Sequence, residues 1–315
     1  MTDVIQAREK KAVPMNRSLT ERIAILGFGE AGGIFGHDLV AAGRQVIVYD
    51  NLLQDNQLRK PLLEKAEVAK VRVAENLEQA ISEADLVLST VTASSAIPVA
   101  KHAAAFLQMN QIYMDMNSVS PDTKKEIGAE IEKSGADFVE AAVMAAVQPA
   151  RLKVEILLGG TRAAELAEQL RMIGMKTTAV SEKLGVASAI KMCRSIVIKG
   201  LAALTIESLF AARRYGAEDA VIASFEGTYP GMGWAKGLPD ALARRASEMR
   251  EVVETLKAVG MNSGMASATA ELQNWLTKEM EARNIVYNKD QPLTWRELAD
   301  GIAPPIAASQ LTERE

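Results

Sequence analysis

The sequence predicts an α/β fold, with a doubly wound, mostly parallel sheet followed by an all-α C-terminal domain that is entered through a long central helix. Short β-branched runs alternate with helical stretches over the first half of the 315 residues, which is typical of a sheet covered by helices on both faces. A glycine-rich turn follows the first strand, and no strand-like alternation appears after Ser181. We therefore expect a polar N-terminal extension over residues 1–20, a sheet domain over 21–181 and a helical domain over 182–315.

The elements of the first half follow from the period of the apolar residues and from the residues that begin and end each segment. The predicted strands are Ile23–Leu26, Gln45–Tyr49, Leu86–Ser89, Gln111–Met114, Phe138–Val143, Val154–Leu158 and Thr177–Val180, with a minor strand at Lys70–Val73. The predicted helices are Glu30–Ala42, Leu77–Ala84, Ser95–Leu107, Pro121–Ser134 and Thr161–Ile173. Asn76 is a typical N-cap residue, and Pro121 stands at a first helical position, where no N–H is needed.

The second half is predicted to be helical throughout. Leu184–Tyr215 is rich in alanine and apolar on almost every face, which predicts a buried helix through the middle of the molecule. Ala241–Val259 and Ser267–Arg283 have the pattern of amphipathic helices. Together these helices carry more apolar surface than one sheet domain can cover, so we expect a homodimer formed through the helical domain.

Composition excludes several classes of function. Lys and Arg number 36 against 40 Asp and Glu, and no basic run is present, so nucleic acid is not an expected partner. No stretch approaches the roughly 20 apolar residues of a membrane span, so no membrane partner is expected. One cysteine, Cys193, and two distant histidines, His37 and His102, predict no metal site. A single free thiol favours a reducing compartment and hence a cytoplasmic location.

The glycine-rich turn matches the dinucleotide-binding pattern G-x-G-x-x-G of Rossmann domains. Its residues are Gly27, Phe28, Gly29, Glu30, Ala31 and Gly32. The turn follows a strand and opens a helix, and Asp50 ends the next strand about twenty residues later, as the pattern requires. Gly27 allows the tight turn, Gly29 lets the backbone approach a pyrophosphate, and Gly32 lets helix and strand pack closely. The helix N-terminus then presents N–H groups to the phosphates.

The cofactor is predicted to be NAD, with NADP left open. We expect the Asp50 carboxylate to accept hydrogen bonds from the adenosine ribose and to repel a 2′-phosphate. Asn51 follows it, where an NADP site often has arginine. Val91 and Thr92 follow the strand Leu86–Ser89, at the sheet edge across which a dinucleotide lies, and are expected to contact the cofactor.

Lys191 is the candidate catalytic residue of the central helix. A charged lysine is costly to bury in so apolar a helix, so the side chain either extends to solvent or takes part in chemistry. Ser188, Lys191 and Ser195 share one helix face by their spacing. Desolvation and a nearby nicotinamide cation would lower the pKa of the lysine, so that it exchanges a proton near neutral pH.

Four blocks in order resemble the β-hydroxyacid dehydrogenases, relatives of 6-phosphogluconate dehydrogenase, between about Ile23 and Gly200. The first block is the glycine-rich turn. The others are Asp115–Pro121, similar to the substrate loop D-x-S-T-I-x-P, Glu140–Ala146, in the place of D-A-P-V-S-G-G, and Gly185–Ser195, similar to the catalytic helix. Lys191-Met-Cys-Arg and the helical tail are more similar to an uncharacterised branch of phosphogluconate-dehydrogenase-like oxidoreductases.

The resemblance implies an NAD(P)-dependent dehydrogenase that acts on the CH–OH group of a 3-hydroxy acid or a related hydroxy or carbonyl compound. It implies that Lys191 is the general acid/base on the substrate hydroxyl, and that Asn117 and Ser118 hold the substrate carboxylate. Ser195 stands where the family has asparagine. Met144, with the two alanines after it, replaces Ser-Gly-Gly, so the carboxylate cradle is altered. The small-molecule substrate itself is not identified by these residues.

Two alternative functions stay open at the level of sequence. The same architecture serves imine reductases, which reduce C=N bonds and usually lack a lysine at the position of Lys191. The other alternative is a protein that binds NAD without turnover, which the altered third block would permit.

Overall fold

The computed structural model describes residues 18–231, 245–286, 288 and 293–303. Most of the predicted polar extension and the first residues of the predicted helix Ala241–Val259 lie outside this range. Leu19 and Thr20 correct the predicted end of the extension, because both are buried and the Leu19 N–H donates to Gln169 Oε1 at 2.6 Å. These two residues are part of the sheet domain.

An eight-stranded sheet forms the N-terminal domain. Its strands are β1 Arg22–Leu26, β2 Gln45–Tyr49, β3 Arg72–Val73, β4 Leu86–Ser89, β5 Ile112–Asp115, β6 Asp137–Val143, β7 Glu155–Gly159 and β8 Lys176–Ser181. They lie in the order β3-β2-β1-β4-β5-β6-β7-β8. The order reverses direction at β1, which opens a crevice between the carboxyl ends of β1 and β4. The predicted doubly wound sheet is confirmed.

One pair departs from the parallel pattern. β6 and β7 are antiparallel, whereas the other neighbouring strands run parallel. A connection of eleven residues, 144–154, joins them without a crossover helix, and parallel neighbours would need such a crossover. The sheet is therefore mixed, and this connection lies at the edge where the third sequence block ends.

Helices cover both faces of the sheet and form the C-terminal domain. They are α1 Glu30–Ala41, α2 Arg59–Ala69, α3 Leu77–Ser82, α4 Ala93–Ala104, α5 Pro121–Glu132, α6 Ala163–Met172, α7 Val186–Arg214, α8 Glu218–Thr228, α9 Arg245–Ala258, α10 Gly264–Ala282 and α11 Trp295–Ile302. α1, α2 and α6 pack on one face, and α3, α4 and α5 on the other. Within β1, Ile23 and Ile25 contribute to the first layer and Ala24 and Leu26 to the second, as expected of a strand buried on both sides.

The central helix α7 is long, as predicted, but it is not buried all round. It contacts β6 at its start and α9 and α10 along its length, and Met192 packs with Met249 and Val252 of α9. The exposed apolar side chains of α7 are Ile190, Val197, Ile198 and Leu204. Within the described part of the chain, the helical domain covers one face of α7 and leaves the other open.

α7 also corrects the expectation that no segment is apolar enough to span a bilayer. By length and composition alone, Val186–Arg214 is long and apolar enough to do so. Core helices of globular domains meet the same criterion, and part of the apolar surface of α7 is buried against the sheet domain and its neighbouring helices.

Candidate functional site

The glycine-rich turn leaves an open space above Gly29 and close contacts on either side. Gly27 has φ +88°, and a Cβ there would lie 2.7 Å from Thr90 O. A Cβ on Gly32 would collide with Gly27 O, whereas a Cβ on Gly29 would meet no protein atom within 4 Å. The turn is therefore closed where helix and strand meet and open where a ligand could approach the backbone.

The open side of the turn fits the pyrophosphate of a dinucleotide. α1 begins one residue after Gly29, so the N–H groups of Ala31 and Gly32 have no acceptor inside the helix. These N–H groups and the positive end of the helix dipole favour an anion. Thr90, which the sequence did not single out, donates its Oγ1 hydrogen to Gly27 O at 2.7 Å and so fixes the turn against β4.

Asp50 lies beside the turn, but its carboxylate already binds the protein backbone. Its Oδ2 accepts from the Phe28 N–H at 2.7 Å, and its Oδ1 accepts from the Leu52 N–H at 3.0 Å. The residue is only 8% exposed. Each carboxylate oxygen can accept a second hydrogen bond, so ribose recognition by Asp50 would use that remaining capacity.

Val91 and Thr92 lie at the carboxyl end of β4, next to the turn. The Val91 side chain lies against Gly27, at 2.8 Å from the place of a Cβ there. Thr92 is exposed and is the N-cap residue before α4, and its Oγ1 donates to Ser95 Oγ at 2.9 Å. Both residues border the crevice between β1 and β4, on the side opposite Asp50 in the strand order.

The loop after β5 holds two buried polar atoms without partners. Asn117 Nδ2 donates to Ser89 Oγ at 2.9 Å, but Asn117 Oδ1 and Ser118 Oγ have no hydrogen-bond partner. Buried polar atoms are nearly always satisfied in folded proteins. These two atoms therefore indicate a polar ligand at the end of the loop.

A buried ion pair between Lys124 and Asp115 holds the start of this loop in place. Lys124, on α5, is 1% exposed, and its Nζ donates to Asp115 O at 2.8 Å, to Asp115 Oδ1 at 3.0 Å and to Ala141 O at 3.3 Å. Asp115 Oδ1 also accepts from the Asn117 N–H at 2.7 Å. Lys124 thus joins the ends of β5 and β6 to the loop that carries Asn117.

Glu140 caps the helix that carries Lys191. This fully buried carboxylate on β6 accepts from the N–H groups of Gly185 at 2.7 Å, Ala187 at 3.1 Å and Ser188 at 3.3 Å. The Ser188 hydroxyl donates to the same carboxylate at 2.8 Å. Ser188 therefore completes the cap, and its hydroxyl hydrogen is directed to Glu140.

Lys191 lies six residues after Gly185, the first residue of this cap. At 1.5 Å per residue, this separation is about 9 Å along the axis of α7. The side chain is half-buried, and none of the described residues forms a hydrogen bond or ion pair with its ammonium group. Burial, partly opposed by the charge of Glu248 and reinforced by those of Lys124 and Lys199, lowers the pKa of Lys191 to about 8. The group can therefore gain or lose a proton near neutral pH.

The remaining predicted residues lie around the start of α7. Ser195 is buried one turn after Lys191. Met144 packs against Ala142, Leu157 and Ala187, so its side chain belongs to a small apolar cluster. Arg194 Nη1 donates to Met144 O at 3.2 Å and ties the third sequence block to α7.

The structure adds Thr90, Lys124 and Glu140 to the residues predicted from sequence. Only Glu140 had a sequence signal, as the first residue of the third block; the other two act through contacts between distant segments. Among the residues that the structure describes, no group of three or more His, Cys, Asp or Glu side chains could hold a metal ion.

Two family models match the chain. The one described as the NAD binding domain of 6-phosphogluconate dehydrogenase matches residues 22–181, just over half of the 315 residues. The other, described as a domain of unknown function, matches residues 212–276. The first match covers the whole sheet, including the glycine-rich turn and the loop that carries Asn117.

Relatives of known sequence match most of the chain. The mitochondrial 3-hydroxyisobutyrate dehydrogenase of Drosophila melanogaster is 25% identical over 265 residues, which are 79% of this chain and 79% of that protein. An uncharacterized 28.5 kDa protein of Methanothermus fervidus is 30% identical over 210 residues, which are 66% of this chain and 77% of that protein.

Solved structures share the fold. A conserved hypothetical protein from Sinorhizobium meliloti 1021 has a TM-score of 0.69 and 35% identity, over 90% of this chain and 96% of that one. The 3-hydroxyisobutyrate dehydrogenase of Mycobacterium tuberculosis with L-serine has a TM-score of 0.71 and 16% identity, over 90% and 99%. A Streptomyces aurantiacus imine reductase has a TM-score of 0.56 and 17% identity, over 82% and 94%. The last two are likenesses of fold alone.

Proposed function

Because the chain belongs to the 6-phosphogluconate dehydrogenase-like family of β-hydroxyacid dehydrogenases, we propose that it oxidises a 3-hydroxy acid, or reduces the matching carbonyl compound, with Lys191 as general acid/base. The family makes it an oxidoreductase that uses a nicotinamide cofactor and a small-molecule substrate. The observation that carries the proposal is the half-buried Lys191 ammonium, which forms no hydrogen bond or ion pair with the described residues and whose pKa is lowered to about 8, mainly by burial.

The family cofactor supplies hydride transfer when it is bound. Gly29 and the first turn of α1 would hold its pyrophosphate, and Asp50 its adenosine ribose. In the oxidation direction, neutral Lys191 accepts the proton of the substrate hydroxyl at Nζ. In the reverse direction, the charged form returns that proton to the carbonyl oxygen. A pKa of about 8 keeps both forms populated near neutral pH.

The loop after β5 would orient the substrate. The Ser118 hydroxyl can donate to a carboxylate, which matches a 3-hydroxy acid. Asn117 Oδ1 is an acceptor as placed, and it can satisfy a substrate hydroxyl or the amide of a nicotinamide. Rotation of the Asn117 amide would exchange its donor and acceptor, so Asn117 could bind a hydrogen-bond donor or an acceptor of the substrate or of the nicotinamide. Met144 and the alanines after it offer no hydroxyl, so the substrate carboxylate would depend more on Ser118.

We propose NAD as the physiological cofactor, as the sequence predicted, with NADP remaining open. The Asp50 carboxylate supports this choice because a 2′-phosphate placed against it would meet like charge. Its two backbone hydrogen bonds fix the carboxylate at the turn, which keeps that negative charge in place.

We also propose that the open face of α7 pairs with a second copy of this chain. Ile190, Val197 and Leu204 recur every seven residues and are exposed, and this spacing forms one apolar stripe along a helix. Stripes of this length are rare on the surface of monomers. A second α7 would present the same stripe in a two-fold arrangement.

The test is a panel of 3-hydroxy acids and cyclic imines, each incubated with the full chain and NAD(H) or NADP(H). Turnover is followed by absorbance of the reduced nicotinamide, with Lys191→Met as the matched variant. The proposal predicts that a 3-hydroxy acid is oxidised and that Lys191→Met abolishes this turnover.

Reduction of an imine that is insensitive to Lys191→Met would instead support the second candidate function. The likeness of fold to an imine reductase is the observation that keeps this candidate. Cofactor binding with no turnover on either class of substrate would contradict the proposal.

A further inference from the structure

A lysine outside the glycine-rich turn is bound to its backbone. Lys65, on α2, places its Nζ 2.7 Å from Phe28 O and 2.6 Å from Gly29 O and donates to both. The same ammonium lies over the Phe28 ring, 4.7 Å from its centroid. Lys65 is therefore an integral part of the turn, although it lies more than thirty residues away in the sequence.

The turn leaves room for this lysine at Gly33. A Cβ on Gly33 would collide with Cε and Nζ of Lys65, so any larger residue at this position would displace the ammonium. Gly33 is not one of the three glycines of the dinucleotide pattern. The absence of a side chain at Gly33 leaves the space through which the Lys65 side chain reaches the turn.

Lys65 and Asp50 bind the two backbone groups of one residue of the turn, Phe28. Asp50 Oδ2 accepts from the Phe28 N–H, and Lys65 Nζ donates to the Phe28 carbonyl. Burial lowers the pKa of Lys65, whereas the carboxylates of Asp50 and Glu30 raise it. The acid that would repel a 2′-phosphate therefore lies within electrostatic reach of a cation on the same turn.

The ammonium has capacity for one more acceptor. A lysine carries three N–H donors, and the two carbonyl oxygens account for two of them. A phosphate oxygen is the kind of acceptor that an ammonium binds with a charge-assisted hydrogen bond.

We propose that Lys65 widens the choice of cofactor, by offsetting part of the charge of Asp50 so that the adenosine ribose site, which favours NAD, also accepts a 2′-phosphate. The inference rests on the proposed binding of a nicotinamide dinucleotide. It predicts that the protein binds NADPH as well as NADH, with the affinity for NADPH depending on Lys65. Lys65→Met should then weaken NADPH binding by roughly ten- to hundredfold, the factor typical of a lost hydrogen bond to a charged group, and should change NADH binding much less.

The experiment is a fluorescence titration of the full chain with NADH and with NADPH, without substrate. Lys65→Met removes both the charge and the donor, and Lys65→Gln removes the charge but keeps an N–H donor for the turn. Lys60→Met is the control, because Lys60 lies on the same helix with an exposed side chain, and its ammonium lies 3.9 Å from Glu64 Oε1 at the surface. Thermal melting of each variant establishes that it is folded.

The expected result is a selective loss of NADPH affinity in both Lys65 variants and an unchanged ratio of NADPH to NADH affinity in Lys60→Met. The difference in NADPH affinity between wild type and Lys65→Gln should shrink at high salt. An equal loss for both cofactors, or no loss in folded variants, would overturn the inference and leave Lys65 as a brace of the turn. Wild-type protein that binds neither NADH nor NADPH would overturn the proposed function as well, so the two failures are distinguishable.

Discussion

The cap on α7 by Glu140 should dominate the stability of the site, and Glu140→Gln tests it. Oε1 accepts from the Gly185 and Ala187 N–H groups, and Oε2 accepts from the N–H and hydroxyl of Ser188. Glutamine keeps the first oxygen but turns an NH₂ group toward the Ser188 N–H. Two hydrogen bonds then become neutral, the one from the Ser188 N–H is lost, and the Ser188 hydroxyl has to accept from the new NH₂ group in place of donating.

The magnitude follows from these bonds. A hydrogen bond to a charged group contributes about 1.5–3 kcal/mol and a neutral one about 0.5–1.5 kcal/mol, and the variant also avoids the cost of burying a carboxylate. We expect a net loss of about 2–3 kcal/mol in the free energy of unfolding, which lowers Tm by about 4–10 °C. The assays are thermal melting by circular dichroism and amide hydrogen exchange at Gly185, Ala187 and Ser188, which should exchange faster.

Two further variants make this test specific. Gly159→Ala should also destabilise the protein, because a Cβ there would lie 2.5 Å from Glu140 Oε1 and push the carboxylate off the helix. Glu155→Gln is the control. Glu155 is exposed and forms a long surface ion pair with Lys176, 3.7 Å from its Nζ, so this substitution should change the stability by less than about 0.5 kcal/mol. A Glu140→Gln variant that melts with the wild type and exchanges these amides at the same rate would refute the cap.

Three other predictions follow from the site and the helical domain. Gly29→Asp should abolish NADH binding in a fluorescence titration while Tm stays near the wild-type value, because the new side chain enters open space; unchanged affinity would reject the turn as the pyrophosphate site. Asp50→Ala should weaken NAD binding and reduce its preference over NADP, because it removes the ribose acceptor and the repulsion of the 2′-phosphate; a wild type that already prefers NADPH would contradict this. Light scattering at micromolar concentration should give the mass of a dimer, and Val197→Glu together with Leu204→Glu should give a monomer, whereas a monomeric wild type would exclude pairing through α7.

Local sequence patterns were sufficient for most of the sheet. β1, β2, β4 and β6 have dense apolar runs, and each begins and ends within about one residue of its predicted bounds. α2 was not predicted, because Arg59–Ala69 is largely charged and contains Pro61 in its first turn. The antiparallel pairing of β6 and β7 depends on the path of their connection, which periodicity does not specify.

The candidate site also contains residues that local sequence patterns predict and residues that they do not. The glycines of the turn and Asp50 lie in a pattern whose spacing has a physical meaning, and Lys191 is a lysine in an apolar helix, so sequence alone predicts them as site residues. Lys65 and Glu140 act on backbone groups that lie 36 to 48 residues away, and no spacing rule predicts such contacts.

The burial of α7 was also only partly predictable from its sequence. Their apolar residues predicted burial on all sides, but hydropathy does not indicate whether an apolar face is covered by the same chain. Which face of α7 is exposed depends on the positions of α9 and α10, which pack on one side of the helix.

The most direct test of the central claim is the pH dependence of kcat/KM for oxidation of the best 3-hydroxy acid in the panel. Lys191 must be neutral to accept the hydroxyl proton, so kcat/KM should rise with pH to a plateau, with an apparent pKa near 8 in place of the roughly 10.4 of a free lysine. Lys191→Met should lower kcat by at least about 10²-fold and remove this dependence, with NADH affinity nearly unchanged. Lys191→Arg should restore little, because a guanidinium does not release its proton in this range. A Lys191→Met variant that keeps most of its turnover and the wild-type pH profile would contradict the account.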